Sequence, residues 1–406
     1  MYSATRFAPR ARQNFGRPQG GRRPSFNRGG GQGRSMGNRE NIDISRFIKQ
    51  ASQTTAAPAS RPITHKFEDF GFCANIMANI VKLGYTQPMP IQDQSIMSVL
   101  EGRDIVGLAN TGSGKTGAYL LPMIEKISKN RKLRVLIIAP TRELAVQINE
   151  DFRNFSRGMG LESAIMVGGV PPRPQIMQLR KNPNFIIGTP GRLKDFQQRR
   201  VVNFAYFSTV ILDEVDRMLD MGFIEDIKHL LAQVPEKHQT LFFSATMPEK
   251  TRRLASQFLN NPVSFEIESN HSADNVEQNL IRAGNGASKF DELKKLLEKP
   301  EMKKVIIFNE TKHGAEKLSK DLQREGYKAE SIHGDKRQSQ RQKALSMFRE
   351  DKITVLVATD VAARGLDIKD VTHVINYTVP HTFDDYIHRI GRTGRANSKG
   401  CAYTFA

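Results

Sequence analysis

The sequence predicts an α/β protein of two tandem parallel-sheet lobes behind a disordered basic N-terminal tail, and three observations carry this. Short β-branched apolar runs alternate with amphipathic helical stretches, first between about residues 100 and 245 and again between about 300 and 376. A polar segment, Glu268 to Asp274, separates the two series. The first sixty residues are almost free of aliphatic periodicity. Strands buried on both faces and joined by helices form parallel βαβ units, which bind ligands at the carboxyl ends of the strands. A chain of 406 residues accommodates two domains of roughly 100 to 200 residues each.

The tail, residues 1–60, is rich in Arg, Gly, Gln, Asn and Ser, with Tyr2, Phe7, Phe15 and Phe26 scattered through it. It has too little apolar surface to offset the entropy of ordering, so disorder is expected. Its only helical spacing lies between Ile42 and Ala51, where a short helix is predicted. The chain carries 61 Lys and Arg against 42 Asp and Glu, net +19, and the tail holds ten Arg and one Lys against Glu40 and Asp43. That excess points to a polyanionic partner, nucleic acid above all, since Arg interleaved with aromatic rings and Gly contacts phosphates and stacks on bases without a fixed fold. No apolar run approaches the roughly 20 residues that span a bilayer. The amino terminus shows no apolar secretory h-region, so a cytoplasmic protein is expected, or a nuclear one in a cell with a nucleus. Cys73 and Cys401 are too far apart in sequence for a metal knuckle and read as buried thiols.

In the first lobe the strand-like runs are Asp104–Ala109, Arg134–Ala139, Phe185–Gly188, Thr209–Asp213 and Thr240–Ser244; in the second they are Val305–Phe308, Ala329–His333, Ile353–Ala358 and Val371–Asn376. Behind the first run comes Ala109-Asn110-Thr111-Gly112-Ser113-Gly114-Lys115-Thr116, followed by an apolar helical pattern from Ala118. Glycines let this backbone turn its N–H groups toward phosphate, the helix amino terminus adds positive potential, Lys115 reaches terminal phosphates and Thr116 holds Mg²⁺. Ala109 stands where the strict pattern has Gly. The run Val210-Ile211-Leu212 ends in Asp213-Glu214-Val215-Asp216. An aspartate at a buried strand end is placed to hold Mg²⁺, and its neighbour to orient or deprotonate an attacking water; Asp213 and Glu214 take these roles.

From about Phe67 onward the chain resembles the DEAD-box RNA helicases of helicase superfamily 2, with the family's motifs in order and Val215 in place of the usual Ala of the tetrad. The resemblance implies two RecA-like lobes, ATP and Mg²⁺ as ligands, and local unwinding of RNA driven by hydrolysis. Gly84 to Gln92 resembles the adenine-reading Q motif, which implies that Gln92 bonds the base and Phe67 stacks on it. Ser244-Ala245-Thr246 resembles the motif that couples hydrolysis to strand separation through Asp216, and His388 shares that role. In His388-Arg389-Ile390-Gly391-Arg392-Thr393-Gly394-Arg395 several cations converge, as an anion would gather them, and the resemblance makes Arg392 and Arg395 the arginine fingers. Asp367 is implied in the nucleotide cleft. RNA-backbone contacts are implied at Pro140, Thr141, Arg142, Gly168, Gly169, Thr189, Pro190 and Arg192 in the first lobe, and at Phe308, Thr311, Gln338, Arg341, Thr359 and Arg364 in the second. Such contacts bind phosphate without reading bases, so binding independent of sequence is expected.

The expected divisions are the tail over residues 1–60, the Q motif region over 65–93, the ATP-binding lobe over 94–268 and the C-terminal lobe over 275–406. Thr378 departs from the family's usual Asp. The chain stops at Ala406 inside what reads as a further strand, so the second lobe is expected to be truncated. A monomer without membrane contact is expected. An RNA-binding clamp with little turnover, and a superfamily 2 DNA helicase, are the alternative readings.

Overall fold

The computed structural model describes residues 45, 47–48, 63–110, 112–267, 276–282, 288–363, 368, 370–394 and 399–406. The expected tail disorder, the polar linker Glu268 to Asp274, and Thr111, Arg364, Asp367 and Arg395 lie outside the described residues.

The first lobe opens with a 3-10 turn at Phe67–Phe70, α1 (Ala74–Lys82) and α2 (Pro90–Leu100). It continues through β1 (Ile105–Leu108), α3 (Lys115–Lys129), β2 (Val135–Ile138), α4 (Arg142–Phe155), β3 (Ser163–Met166), α5 (Pro172–Leu179), β4 (Phe185–Gly188) and α6 (Pro190–Gln198). Then come β5 (Thr209–Leu212), α7 (Val215–Asp220), α8 (Ile224–Leu231), β6 (Gln239–Ser244), α9 (Glu249–Phe258) and β7 (Val263–Glu266). All seven strands are parallel, in the order β3-β4-β2-β5-β6-β1-β7. The second lobe is a six-stranded parallel sheet in the order β10-β11-β9-β12-β13-β8. Its elements are β8 (Val276–Ile281), α10 (Lys289–Leu297), β9 (Val305–Phe308), α11 (Lys312–Arg324), β10 (Ala329–Ile332), α12 (Gln338–Arg349), β11 (Val355–Ala358), α13 (Asp360–Ala363), β12 (His373–Asn376), α14 (Phe383–Ile390) and β13 (Gly400–Phe405).

Each sheet has an apolar cluster on either face, which is why the central strands β2, β4, β5, β6, β9, β11 and β12 are buried throughout and read as unbroken apolar runs. β3, β7 and β8 did not register as apolar runs. All three sit at sheet edges, half-buried, with polar residues interspersed. β13 pairs with β8 along all six residues. Cys73 and Cys401 are half-buried and unbridged rather than fully buried, because one caps α1 and the other lies on a strand beside the sheet edge. No helix among the described residues is long and apolar enough to cross a membrane.

Candidate nucleotide cleft and cationic groove

The register of the first sheet brings three strand ends together. Leu108 of β1 lies beside Ser244 of β6, and Phe242 of β6 beside Leu212 of β5, so the loops starting at Ala109, Asp213 and Ala245 emerge side by side. Ala109 stays on the ladder, its N–H donating to the Ser244 carbonyl at 3.0 Å. Gly112 and Gly114 adopt φ of 85° and 90°, conformations that favour glycine. A Cβ on Gly114 would stand 2.6 Å from Met89 Sδ and 2.7 Å from Gln92 Nε2. The loop therefore delivers its backbone N–H groups to the start of α3. Lys115, 6% exposed, donates from Nζ to the Ala109 carbonyl at 2.7 Å.

Asp213 is buried. One carboxylate oxygen accepts from Tyr119 Oη at 2.9 Å while the other, Oδ1, has no partner, and neither does the buried Ser113 Oγ. Burial pushes the Asp213 carboxyl up to about 6, with Glu214 adding to the effect and Lys115 opposing it. Glu214 is also buried, which on its own would raise its carboxyl; the Arg217 and Lys115 cations outweigh that and, with Arg392, hold it below the usual range. Arg217 Nη1 donates to Glu214 Oε2 at 2.8 Å, and Nη2 reaches the Val361 carbonyl of the second lobe at 3.3 Å. Glu214 itself sits at φ 53°, ψ 54°, a left-handed backbone unusual for a non-glycine residue and common at functional sites. Asp216 is tied to the next strand end: Thr246 N–H and Oγ1 both donate to its Oδ2 at 2.9 Å. The Ser244 hydroxyl does not donate to that carboxylate. It accepts from the Asp216 backbone N–H at 3.2 Å and donates to the Thr246 carbonyl at 2.8 Å. Val215 is buried in the core.

Gly112, Gly114, Lys115, Thr116, Asp213 and Glu214 line a cleft of about 690 Å³ with Tyr85, Met89 and Gln92 on one wall and Lys304, Arg349 and Asp370 of the second lobe on another. Phe67 does not line it: at 3% exposure its ring is packed in the core beside Phe70. Tyr85, 40% exposed, lines the cleft beside Phe155, their ring centroids 6.0 Å apart. Gln92 Oε1 accepts from Met89 N–H at 2.9 Å and its Nε2 donates to the Gly114 carbonyl at 3.0 Å, so this amide braces the phosphate loop.

A second cleft of about 390 Å³ opens where β2, β4 and β3 end. Pro140, Thr141, Arg142, Gly168, Thr189 and Arg192 line it from the first lobe, Arg341 and Val361 from the second. Thr141 caps α4, accepting from Leu144 N–H at 3.3 Å. Arg142 lies against Gly168 and Gly169, where a Cβ on Gly169 would overlap its guanidinium at 1.8 Å. Burial, and the nearby Arg341 and Arg192 charges, lower the proton affinity of Arg142 against the pull of Glu143. Arg192 Nη1 and Arg341 Nε are buried without a partner. Buried donors of one sign are costly unless an anion meets them, so the groove has the chemistry of a phosphate site.

Two family models match, DEAD/DEAH box helicase over residues 89–254 and Helicase conserved C-terminal domain over residues 288–397. The ATP-dependent RNA helicase CshA of Listeria monocytogenes is 45% identical over 342 residues, covering 84% of this chain and 66% of that protein. The DEAD-box ATP-dependent RNA helicase CshA of Bacillus subtilis is 43% identical over 345 residues, covering 84% and 70%. This chain belongs to the DEAD-box ATP-dependent RNA helicases. The structure of S. cerevisiae Dbp5 bound to RNA and ADP BeF3 is similar at 30% identity and a TM-score of 0.75, over 84% of this chain and 90% of that one. The chain spans 59% to 70% of the length of the curated relatives it matches.

Within this DEAD-box chain the second lobe holds several of the expected site residues in internal contacts. Phe308, expected at RNA, is 2% exposed, with the Arg389 guanidinium 5.2 Å over its ring. Arg389 is 1% exposed and bonds Asp360 through Nε and Nη2 at 2.6 and 2.7 Å, and the Thr378 carbonyl through Nη1 at 2.6 Å. That cation is neutralised internally. Thr311 caps α11 through a bond from Gly314 N–H at 2.9 Å. Gln338 and Arg341 are turned onto the first lobe, donating to Glu143 Oε1 at 2.9 and 3.1 Å. Thr359 is buried where β11 gives way to α13, Pro190 is buried at the start of α6, and His388 is half-buried on α14. Arg392 is 5% exposed, and its Nε donates to the His388 carbonyl at 3.2 Å. Tyr85, Tyr119, Glu143 and Arg217 are contributors that the sequence reading did not single out; Arg217, directly behind the acidic tetrad, is the one a search for a cation beside Glu214 could have found.

Proposed function

We propose that this chain is an RNA-stimulated ATPase that separates short RNA duplexes or remodels ribonucleoprotein, working by closure of its two lobes over ATP and RNA. The observation carrying this reading is the juxtaposition at Glu214. One buried carboxylate is held ionised by Lys115 and Arg217 of the first lobe and Arg392 of the second, while Arg217 also bonds the second lobe's backbone.

In this reading ATP is the substrate. The loop from Ala109 to Thr116 cradles its phosphates, Lys115 leaves the Ala109 carbonyl for them, and Tyr85 stacks on the base with Gln92 beside it. Mg²⁺, when bound with the nucleotide, neutralises phosphate charge, and Thr116 and Asp213 would hold it. The unpartnered Asp213 Oδ1 and Ser113 Oγ fit such a cargo. Among the described residues no cluster of three or more His, Cys, Asp or Glu could hold a metal alone, as suits a cation that arrives shared with phosphate. Glu214 orients and deprotonates the attacking water. Arg392, with Arg395, supplies charge to the transferring phosphoryl group, so catalysis waits on closure. Asp216, Thr246 and His388 relay the state of the site to the RNA face. Arg142, Arg192, Arg341 and Arg364, with the glycine and helix-end N–H groups around them, take the RNA backbone without reading sequence. Asp367 completes the nucleotide cleft. The divisions at residues 60, 94–268 and 275–406, and a cytoplasmic setting, belong to the same reading.

The test is steady-state ATP hydrolysis by the purified chain with no nucleic acid, single-stranded RNA or single-stranded DNA, beside Glu214→Gln. RNA-selective stimulation, lost by about 10² to 10⁴-fold in Glu214→Gln, is expected. Equal stimulation by DNA would favour a DNA motor, and RNA binding without turnover would favour a clamp.

A further inference from the structure

One segment that the helicase reading leaves without a task is the amphipathic stretch around Ile44, Phe47, Ile48 and Ala51, spaced i, i+3, i+4, i+7. Ser45, Phe47 and Ile48 are helical. The Phe47 ring meets α14 of the second lobe, edge-on to Phe383 with centroids 5.8 Å apart and 6.0 Å from Tyr386. Phe47 and Ile48 pack against the cluster that contains Tyr386, Ile390, Val276 and Ala402. Further along, the same chain enters the first lobe. There the Asp93 carboxylate accepts from Thr64 N–H at 3.1 Å and from His65 N–H at 2.8 Å. A segment N-terminal to the first lobe thus completes a core belonging to the second.

α14 has only eight residues, a length that does not hold itself helical without packing. Phe383, Tyr386 and Ile390 lie along one face at helical spacing. Tyr386 is 1% exposed and its Oη donates to Gln278 Oε1 of β8 at 2.7 Å. At its other end the helix presents Arg389, pinned on Asp360, and leads to Arg392, whose Nε donates to the His388 carbonyl of the same helix at 3.2 Å. The docking face therefore lies on the short helix whose end leads, two residues on, to Arg392.

We propose that Ser45–Ile48 is a docking element whose partner is the Phe383–Tyr386 face of the second lobe, and that by bracing α14 it holds Arg392 toward the nucleotide cleft. The occupant of this apolar face is thereby a segment of the same chain. The docking stands on the ring contacts alone; the consequence for Arg392 rests on the ATPase reading.

Hydrogen exchange of the full chain, read by mass spectrometry beside the RNA-stimulated hydrolysis rate, tests this. Phe47→Asp is expected to speed exchange of the α14 amides by about ten-fold or more while α3 amides, in the other lobe, keep theirs, which separates undocking from failure to fold. Phe47→Leu should retain protection, and removal of residues 1–42, which spares the segment, should leave α14 protected. The hydrolysis rate of Phe47→Asp should fall with its exchange change. Unchanged exchange in α14 for Phe47→Asp would overturn the docking. Faster exchange with an unchanged hydrolysis rate would uphold the docking and overturn the bracing of Arg392; loss of RNA stimulation in the unmodified chain would instead count against the ATPase reading itself.

Discussion

Arg217 shows how one side chain links two jobs. It neutralises a buried glutamate at 2.8 Å and reaches a backbone carbonyl of the other lobe at 3.3 Å. Burial alone would push the Glu214 carboxyl up, and a protonated glutamate cannot take a proton from water. Removing the Arg217 charge therefore moves the acid limb of the pH–rate profile to higher pH, since a larger share of Glu214 is then protonated at any acidic pH. For Arg217→Met we expect that displacement together with a fall in RNA-stimulated kcat of about ten-fold, measured as a full pH profile. Arg217→Lys should bring the limb back, because it restores the charge. An unmoved limb in Arg217→Met would mean that the ion pair does not set the protonation of Glu214. Arg217 and Tyr119 were not legible as a site because each acts through a neighbour. Asp213, Glu214 and Lys115 were legible because their chemistry is written in contiguous residues, whereas the Tyr119 bond to Asp213 spans 94 positions. Phe67 shows the converse: a conspicuous upstream aromatic also serves a core, and there it is 3% exposed.

Among the elements, the strands with unbroken apolar runs were read directly, and the edge strands β3, β7 and β8 were not, since an edge strand is half-wetted and its pattern fades. The strand ends did more than carry loops. β1, β6 and β5 set the nucleotide cleft, while β2, β4 and β3 set the cationic groove, so one sheet divides its carboxyl edge between two ligands. Most ion pairs on these elements are exposed and contribute roughly 0–1 kcal/mol each. Glu316 on α11 is better placed, accepting from Ser331 Oγ at 2.5 Å and from His333 Nε2 at 3.1 Å. The Ser331 hydroxyl bond chiefly, with His333, Lys320 and Lys336 and against burial, lowers its carboxyl to about 2 from 4.5. Because the folded value lies below the unfolded one, this carboxylate stabilises the second lobe fully above about pH 4.5, and that share is lost as pH falls toward 2. Acid titration of thermal stability should therefore be shallower in that window for Glu316→Gln, which should also melt lower at neutral pH. Parallel acid curves for the two proteins would contradict it.

Over the whole molecule, the bridge that joins the lobes is small and specific. Glu143 on α4 gathers Gln338 and Arg341 of α12, partners 195 and 198 positions away, beside a groove where Arg192 Nη1 and Arg341 Nε are buried donors without an acceptor. No spacing rule finds such a bridge; the sequence shows both lobes and most of the loops but not which side chains meet across the gap. Glu143→Gln should weaken closure, lowering RNA stimulation of hydrolysis by about 5- to 10-fold while leaving the rate without RNA nearly unchanged. The central claim is that one closure of the lobes serves both the nucleotide cleft and the RNA groove, so each ligand must tighten the other. The most direct measurement is the affinity of the chain for a fluorescent single-stranded RNA, by anisotropy at fixed salt, with and without a non-hydrolysable ATP analogue and Mg²⁺. The account predicts RNA binding tighter by about ten-fold or more with the analogue, with the gain reduced in Glu143→Gln. Equal RNA affinity in the two conditions would contradict it.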